Sequence, residues 1–150
     1  MLQSKKSIEL IMKEGIRRMN NDKDFNIRDV FYNATKGDLT RTARIVIYDD
    51  EDPQIIYYDT ILGFENDQIV ELQNNVKPTV TYKFNTSTFL YLVSQTYEFR
   101  QLFFLGKFKV EGESFLRDYI VWSRFWKKYH DVLKLNFYEK IFIRPQEGKL

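Results

Sequence analysis

Few residues in the sequence have the chemistry that catalysis or metal binding requires. The chain of 150 residues contains no Cys and a single His, His130. These counts exclude disulfide scaffolds, thiolate zinc sites, cysteine nucleophiles and His-rich metal sites. No Gly-x-Ser-x-Gly motif is present, so the sequence contains no recognisable catalytic constellation. We therefore predict a protein that is not an enzyme and that needs no cofactor and no metal.

Two acidic features of the sequence could belong to a functional site. Asp49, Asp50, Glu51 and Asp52 follow one another, but they lack the spacing and the central Gly of a calcium loop. A solvated hairpin tip is the simpler interpretation. Asp118 falls in the first two turns of a predicted helix, where the helix dipole favours a carboxylate. The alternative is a polar contact between Asp118 and the head group of a ligand.

Charge balance and the length of apolar runs limit the classes of partner and compartment that we expect for the chain. Basic and acidic residues number 23 and 21, for a net charge of +2, and they are interleaved. The sequence therefore lacks the clustered basic residues that binding of duplex nucleic acid requires. No apolar run approaches the ~20 residues that span a bilayer, and the charged N-terminus does not resemble a secretory signal. We expect a cytoplasmic protein; the alternative is the peroxisomal matrix, because Gly148, Lys149 and Leu150 resemble its C-terminal signal.

The periodicity of apolar residues predicts one α+β domain over residues 1–150. Helical spacing marks N-terminal helices within residues 1–37 and a long helix at 113–135. Between them, residues 38–112 form a sheet core, and residues 136–150 form a tail. The predicted strands share a period of two and lie at residues 41–48, 54–62, 68–73, 79–84 and 107–111.

Alternation predicts which side chains of the sheet face the core. Val80, Tyr82 and Phe84 face inward, as do Phe108 and Val110, because a slip of one residue would bury lysines instead. In the third strand, alternation places Val70 and Leu72 inward. The second strand is apolar on both faces. If its residues Ile56, Tyr58 and Leu62 stay exposed, the outer face becomes an interaction surface.

The long predicted helix is apolar over more than half of its circumference. A surface helix needs an apolar stripe only a little over ~100° wide. The helix must therefore contact the sheet and a second apolar partner. Three partners remain open: a neighbouring helix or the tail, a ligand cavity, or a dimer contact. The tail is too apolar to stay in solvent, so we expect it to pack on the domain or on a second copy through Phe137, Tyr138, Ile141 and Phe142.

The central part of the sequence resembles the sterol carrier protein 2 (SCP2) family. That family has a strand, a capped Phe-Leu-x-Leu-Val helix, a short aromatic helix and a Gly-Lys-x-Lys-x-x-Gly-like strand before a terminal helix. The corresponding residues here are 79–84, 86–93, 103–105 and 106–112, and the resemblance covers residues 42–126. It implies a five-stranded, mostly antiparallel sheet with helices on one face. Residues 136–150 are then a C-terminal extension.

The resemblance also implies a function. An apolar tunnel between sheet and helices would bind or transfer a fatty-acyl or sterol-like lipid without chemistry. The residues implied as its walls are Phe89, Leu92, Val93, Phe103, Phe104, Phe108, Tyr119, Trp122 and Trp126. The alternative follows from the bulk of the aromatic helix, since each such ring buries ~150–250 Å². Those rings would fill the tunnel and leave a protein–protein interaction module or a homodimer, formed through the outer sheet face or the tail.

Overall fold

The computed structural model describes residues 5–22, 41–72, 75–94, 97–112 and 115–133, with the last helix's side chains described from residue 118 onward. Two predicted segments lie outside these ranges. One is the end of the predicted N-terminal helical region, residues 23–37, and the other is the tail, which includes the C-terminal tripeptide. The described elements, in chain order, are α1 (Lys5–Asn21), β1 (Ala43–Tyr48), β2 (Ile56–Glu65), β3 (Gln68–Leu72), β4 (Val80–Asn85), α2 (Thr86–Ser94), α3 (Phe99–Phe104), β5 (Lys109–Glu111) and α4 (Phe115–Leu133).

The strands form one sheet in the order β3-β2-β1-β4-β5. β1 pairs with β4 in parallel, and the other three neighbouring pairs are antiparallel. The prediction of an α+β fold with a mostly antiparallel five-stranded sheet is therefore confirmed. Buried residues of all four helices join the inner face of the sheet in one hydrophobic core.

The inner face of the central strands follows the predicted alternation. Val80, Tyr82 and Phe84 of β4 are at most 1% exposed, and Phe108 is buried beside them. Val110 is half-buried and packs against the same core. The lysines that alternate with these residues lie outside that core. The period-two interpretation of β4 and β5 is thus confirmed.

The pairing of β2 with β1 decides which of the two apolar faces of β2 is buried. Tyr58 lies opposite Ile47, and Leu62 lies opposite Ala43. Residues directly opposite each other share a face, so Tyr58 and Leu62 point to the core, where they are buried. The condition set for an interaction surface on the outer face, exposure of these side chains, is therefore not met by Tyr58 and Leu62. Ile56, at the start of the strand, is 40% exposed.

In β3, the alternation has the opposite phase to the predicted one. Ile69 is buried opposite Phe64, whereas Val70 and Leu72 are half-buried on the other face. The pairing with Phe64, whose ring stacks on the buried Trp122, places Ile69 on the inner face. The side-chain amide of Asn20 in α1 accepts a hydrogen bond from the Ile69 N–H at 2.8 Å and donates one to the Ile69 carbonyl at 2.9 Å. This double contact ties β3 to α1 through Ile69.

Charged pairs cross the outer face of the sheet. Arg44 of β1 binds Asp59 of β2 with 2.7 Å between Nη2 and Oδ2. Lys83 of β4 lies 3.6 Å from Glu111 of β5. A homodimer through this face therefore has to bury or rearrange these charges, and it stays a prediction. Within the described ranges, no helix is both long and apolar enough to cross a bilayer.

Candidate ligand-binding site

Aromatic rings fill the interior between the sheet and the helices. Phe84 makes edge contacts with Phe108 and Trp126, at centroid distances of 5.3 and 6.1 Å. Trp122 is fully buried, and it stacks on Phe64 at 5.8 Å. Rings in such offset and edge arrangements pack favourably with each other. Trp122, expected as part of the tunnel wall, thus packs against the rings of Phe64 and Phe125.

A pocket of about 360 Å³ lies between α2, α3 and α4. Leu92, Phe99 and Trp126 form its base and are each at most 5% exposed. The half-buried residues Tyr119 and Ser123 continue the wall along α4. Exposed residues surround the mouth: Tyr97, Glu98, Arg100 and Lys127.

The predicted site residues are divided between this pocket and the core. Leu92, Tyr119 and Trp126 line the pocket. Phe104 is 77% exposed at the end of α3, so its predicted place in the tunnel wall is wrong. Phe103 is half-buried with its ring 5.0 Å from that of Tyr119. The remaining predicted residues are buried in the core and do not themselves line the pocket: Phe89, Val93, Phe108 and Trp122.

Sequence reasoning missed several of the pocket residues. Phe99 belongs to the same aromatic helix as Phe103 and was available to the same argument. Arg100 and Lys127 are exposed cations whose proximity follows only from the packing of α3 beside α4. The sequence carries no signal for this proximity, because an exposed lysine on a polar helix face is compatible with any neighbouring helix.

Local hydrogen bonds position the two helices that form one side of the pocket. Asp50 accepts hydrogen bonds at 3.0 Å from the Thr86 hydroxyl and the Ser87 N–H, at the start of α2. Carboxylates are favourable at this end of a helix. Asp50 therefore anchors α2 to the hairpin and is not simply solvated. At the end of α3, Gly106 has a φ of 72°, which suits the left-handed turn to β5.

Asp118 is a buried structural residue. Arg41 donates two hydrogen bonds to its carboxylate, at 2.9 Å from Nε and 2.8 Å from Nη2. The Thr79 hydroxyl lies 3.2 Å from Oδ1. A buried carboxylate needs partners of this kind. Its charge therefore joins α4 to the segments before β1 and β4, and it does not line the pocket.

His130 also has a structural contact. Its Nδ1 lies 2.8 Å from the Val93 carbonyl oxygen. A carbonyl can only accept, so Nδ1 carries the proton in this contact. The bond joins α4 to α2. Among the described residues, no group of three or more His, Cys, Asp or Glu side chains could hold a metal ion.

Three buried donors have no hydrogen-bond partner within the described part of the chain: the Tyr82 hydroxyl and the Nε1 atoms of Trp122 and Trp126. An unpaired buried donor costs ~1–3 kcal/mol. Burial raises the pKa of Tyr82 far above its usual range, and the negative charge of Asp118 raises it further. Trp126 is the one of the three that also borders the pocket.

The fold is that of sterol carrier protein 2. SCP2 from Yarrowia lipolytica, in its apo form, superimposes with a TM-score of 0.54 at 16% identity, covering 80% of this chain and 90% of that one. The sterol carrier protein domain 2 of Helicoverpa armigera gives 0.54 at 15% identity, covering 86% and 92%. SCP2-like 2 from Aedes aegypti gives 0.51 at 14% identity, covering 77% and 94%. No protein-family model and no curated protein matches the sequence. The chain therefore has an SCP2-like fold at low sequence identity.

Proposed function

We propose that this chain binds a hydrophobic ligand, without catalysing a reaction on it, in the pocket between α2, α3 and α4. The pocket carries the proposal: its volume of about 360 Å³ lies within the ~300–1,000 Å³ typical of small-molecule sites. Its base is formed by Leu92, Phe99 and Trp126, all buried. Burying a ligand's apolar surface against such a base is favourable at about 25 cal/mol per Å².

The mouth of the pocket favours a fatty-acyl ligand over a sterol. Arg100 and Lys127 supply two cations there, whereas Glu98 supplies one carboxylate, 3.8 Å from Arg100. A fatty acid has an anionic carboxylate, and a fatty-acyl thioester of coenzyme A carries phosphates at its polar end. Either anion can accept charge-assisted hydrogen bonds from these side chains. A sterol offers only a neutral hydroxyl.

Trp126 contributes its ring to the base of the pocket. Its Nε1 atom is buried and has no partner within the described residues, so it does not face the pocket. The base therefore offers a ligand apolar surface, and the cations at the mouth offer it positive charge. The ligand class that suits both ends of the pocket is an apolar chain with an anionic end group.

Tryptophan fluorescence tests the proposal because Trp126 lines the pocket and Trp122 does not. We expect micromolar fatty acid or fatty-acyl thioester to change the emission of the wild type and of Trp122→Phe. The change should be lost in Trp126→Phe. Ser123→Phe, which places a ring in the pocket, should abolish binding in a probe-independent assay such as calorimetry. A flat titration of the folded wild type would overturn the proposal.

A second function is supported by the filled interior. Trp122 is fully buried and stacked on Phe64, so the sheet–helix interface resembles a completed core. In this alternative the fold serves as a protein–protein interaction or dimerisation module. The dimerisation module predicts no change in tryptophan emission on addition of fatty acid. It also predicts self-association of the protein in sedimentation velocity. A monomer that binds fatty acid would exclude it.

A further inference from the structure

The end of α3 exposes two consecutive apolar side chains. Phe104 is 77% exposed and Leu105 is 60% exposed. Gly106 then turns the chain back toward β5 with a φ of 72°. We call Phe104, Leu105 and Gly106 the apolar tip. Large apolar residues grouped on a surface mark interaction sites more often than isolated ones do.

Cations flank the apolar tip in the sequence. Between residues 97 and 109 there are three cations, Arg100, Lys107 and Lys109, and one carboxylate, Glu98, so the segment carries a net charge of +2 (3 − 1). The side chain of Arg100 is 69% exposed, and both lysines are exposed. An apolar tip with a basic border is the combination that binds the surface of an anionic bilayer.

The apolar tip adjoins the ligand pocket. Phe104 and Leu105 line a shallow groove of about 530 Å³ together with Tyr97, Arg100 and Gln101. Tyr97 and Arg100 also stand at the mouth of the pocket. A surface that holds the tip would therefore also lie next to the pocket mouth.

We propose that the apolar tip docks the protein on anionic lipid bilayers. Phe104 and Leu105 enter the interface between head groups and acyl chains, while Arg100 and Lys107 contact lipid phosphates. Docking brings the pocket mouth to the bilayer surface. The inference goes beyond ligand binding, because attachment to a vesicle requires no occupant in the pocket.

Vesicle co-sedimentation tests this docking. The probes are phosphatidylcholine vesicles with and without about 30% phosphatidylserine, the anionic lipid that attracts basic segments. We expect the wild type to bind the anionic vesicles and to be released by salt, because screening weakens surface electrostatics. Phe104→Asp should weaken binding by at least about tenfold, since it removes the apolar anchor and adds a repelled charge. Lys107→Glu should weaken it by about tenfold.

Ile55→Asp is the matched control. Ile55 is 46% exposed, comparable in kind to Leu105, but it follows the acidic run that ends at Asp52. This variant should bind vesicles as the wild type does. Phe104→Asp should also keep the fatty-acid titration in solution, which separates docking from the proposed ligand binding.

Three results would overturn the docking proposal. The first is equal binding of wild type and Phe104→Asp to anionic vesicles. The second is wild-type binding that does not depend on phosphatidylserine. The third is a wild-type dimer, without vesicles, that Phe104→Asp converts to a monomer, because the tip would then contact a second copy of the chain.

Discussion

The ring of Tyr129 occupies the space that a side chain at Gly15 would need. A Cβ atom at residue 15 would lie 2.1 Å from Cε2 of Tyr129. The Tyr129 hydroxyl donates a 2.5 Å hydrogen bond to the Ile11 carbonyl, one turn earlier in α1. The ring therefore lies against two successive turns of α1, and the close approach of α1 and α4 depends on the glycine.

We predict that Gly15→Ala lowers the free energy of unfolding by about 1–3 kcal/mol, although alanine is the better helix former, because the added methyl group overpacks the interface. Urea unfolding followed by circular dichroism measures the change. The control is the same substitution in a Tyr129→Leu background, where the penalty should shrink. A Gly15→Ala protein as stable as the wild type would contradict the prediction.

The buried ion pair of Arg41 and Asp118 should matter more than the exposed pair of Arg44 and Asp59. Asp118 is fully buried, whereas the side chain of Asp59 is 39% exposed. Asp118→Asn removes the buried negative charge that pairs with Arg41 and should cost ~3–5 kcal/mol. Asp59→Asn should cost at most ~1 kcal/mol. Equal losses in urea unfolding would show that burial does not decide the value of these pairs.

Lys127→Glu tests the cationic mouth of the pocket. Reversing this charge should weaken the binding of a fatty acid several-fold, about what an exposed charge pair contributes. Arg124→Glu is the control, because Arg124 lies three residues earlier on α4 and does not line the pocket. Calorimetry at low ionic strength measures both. Equal effects would indicate a response to net charge and not to the pocket.

Tyr57 should make the hairpin sensitive to alkaline pH. Its hydroxyl donates a 2.7 Å hydrogen bond to Asp49, which raises the pKa of Tyr57 to about 12. The folded state thus holds this proton more tightly than the unfolded state, whose tyrosine has a pKa of ~10. The stabilisation is fully present below about pH 10 and is lost as the pH rises toward 12.

Tyr57→Phe separates this contribution from those of the other tyrosines. Absorbance titration near the tyrosinate band should lose a step close to pH 12 in the variant. The dependence of the unfolding midpoint on pH above 10 should become less steep. A lost step near pH 10, the ordinary value for tyrosine, would mean that the bond to Asp49 does not form in solution.

Several parts of the fold follow from the sequence alone. The inward direction of Val80, Tyr82 and Phe84 is determined by alternation, because the opposite register would bury Lys83. The apolar breadth of the last helix indicated two packing partners, and α4 contacts both α1 and the sheet through Tyr129 and Trp122. These properties are local: each depends on side chains a few positions apart.

Other parts depend on contacts between residues distant in the chain. Tyr58 and Leu62 face the core because β2 pairs with β1 in one register, and a strand apolar on both faces carries no signal for that choice. Ile69, and not Val70, lies on the inner face because β3 pairs with β2 in the register that sets Ile69 opposite Phe64. Asn20, 49 residues away, binds the backbone of Ile69. Neither choice is encoded by periodicity.

The ligand site shows the same division. The sequence by itself determined that aromatic residues would line the helix–sheet interface, since hydrophobic burial needs no particular geometry. Only the tertiary structure decided which rings complete the core and which border open space. Phe104 leaves the interior because Gly106 ends α3 just beyond it, whereas Trp126 reaches the pocket because α4 packs beside α2 and α3. Close packing assigns each ring a single place, and that assignment is a property of the assembled helices and sheet.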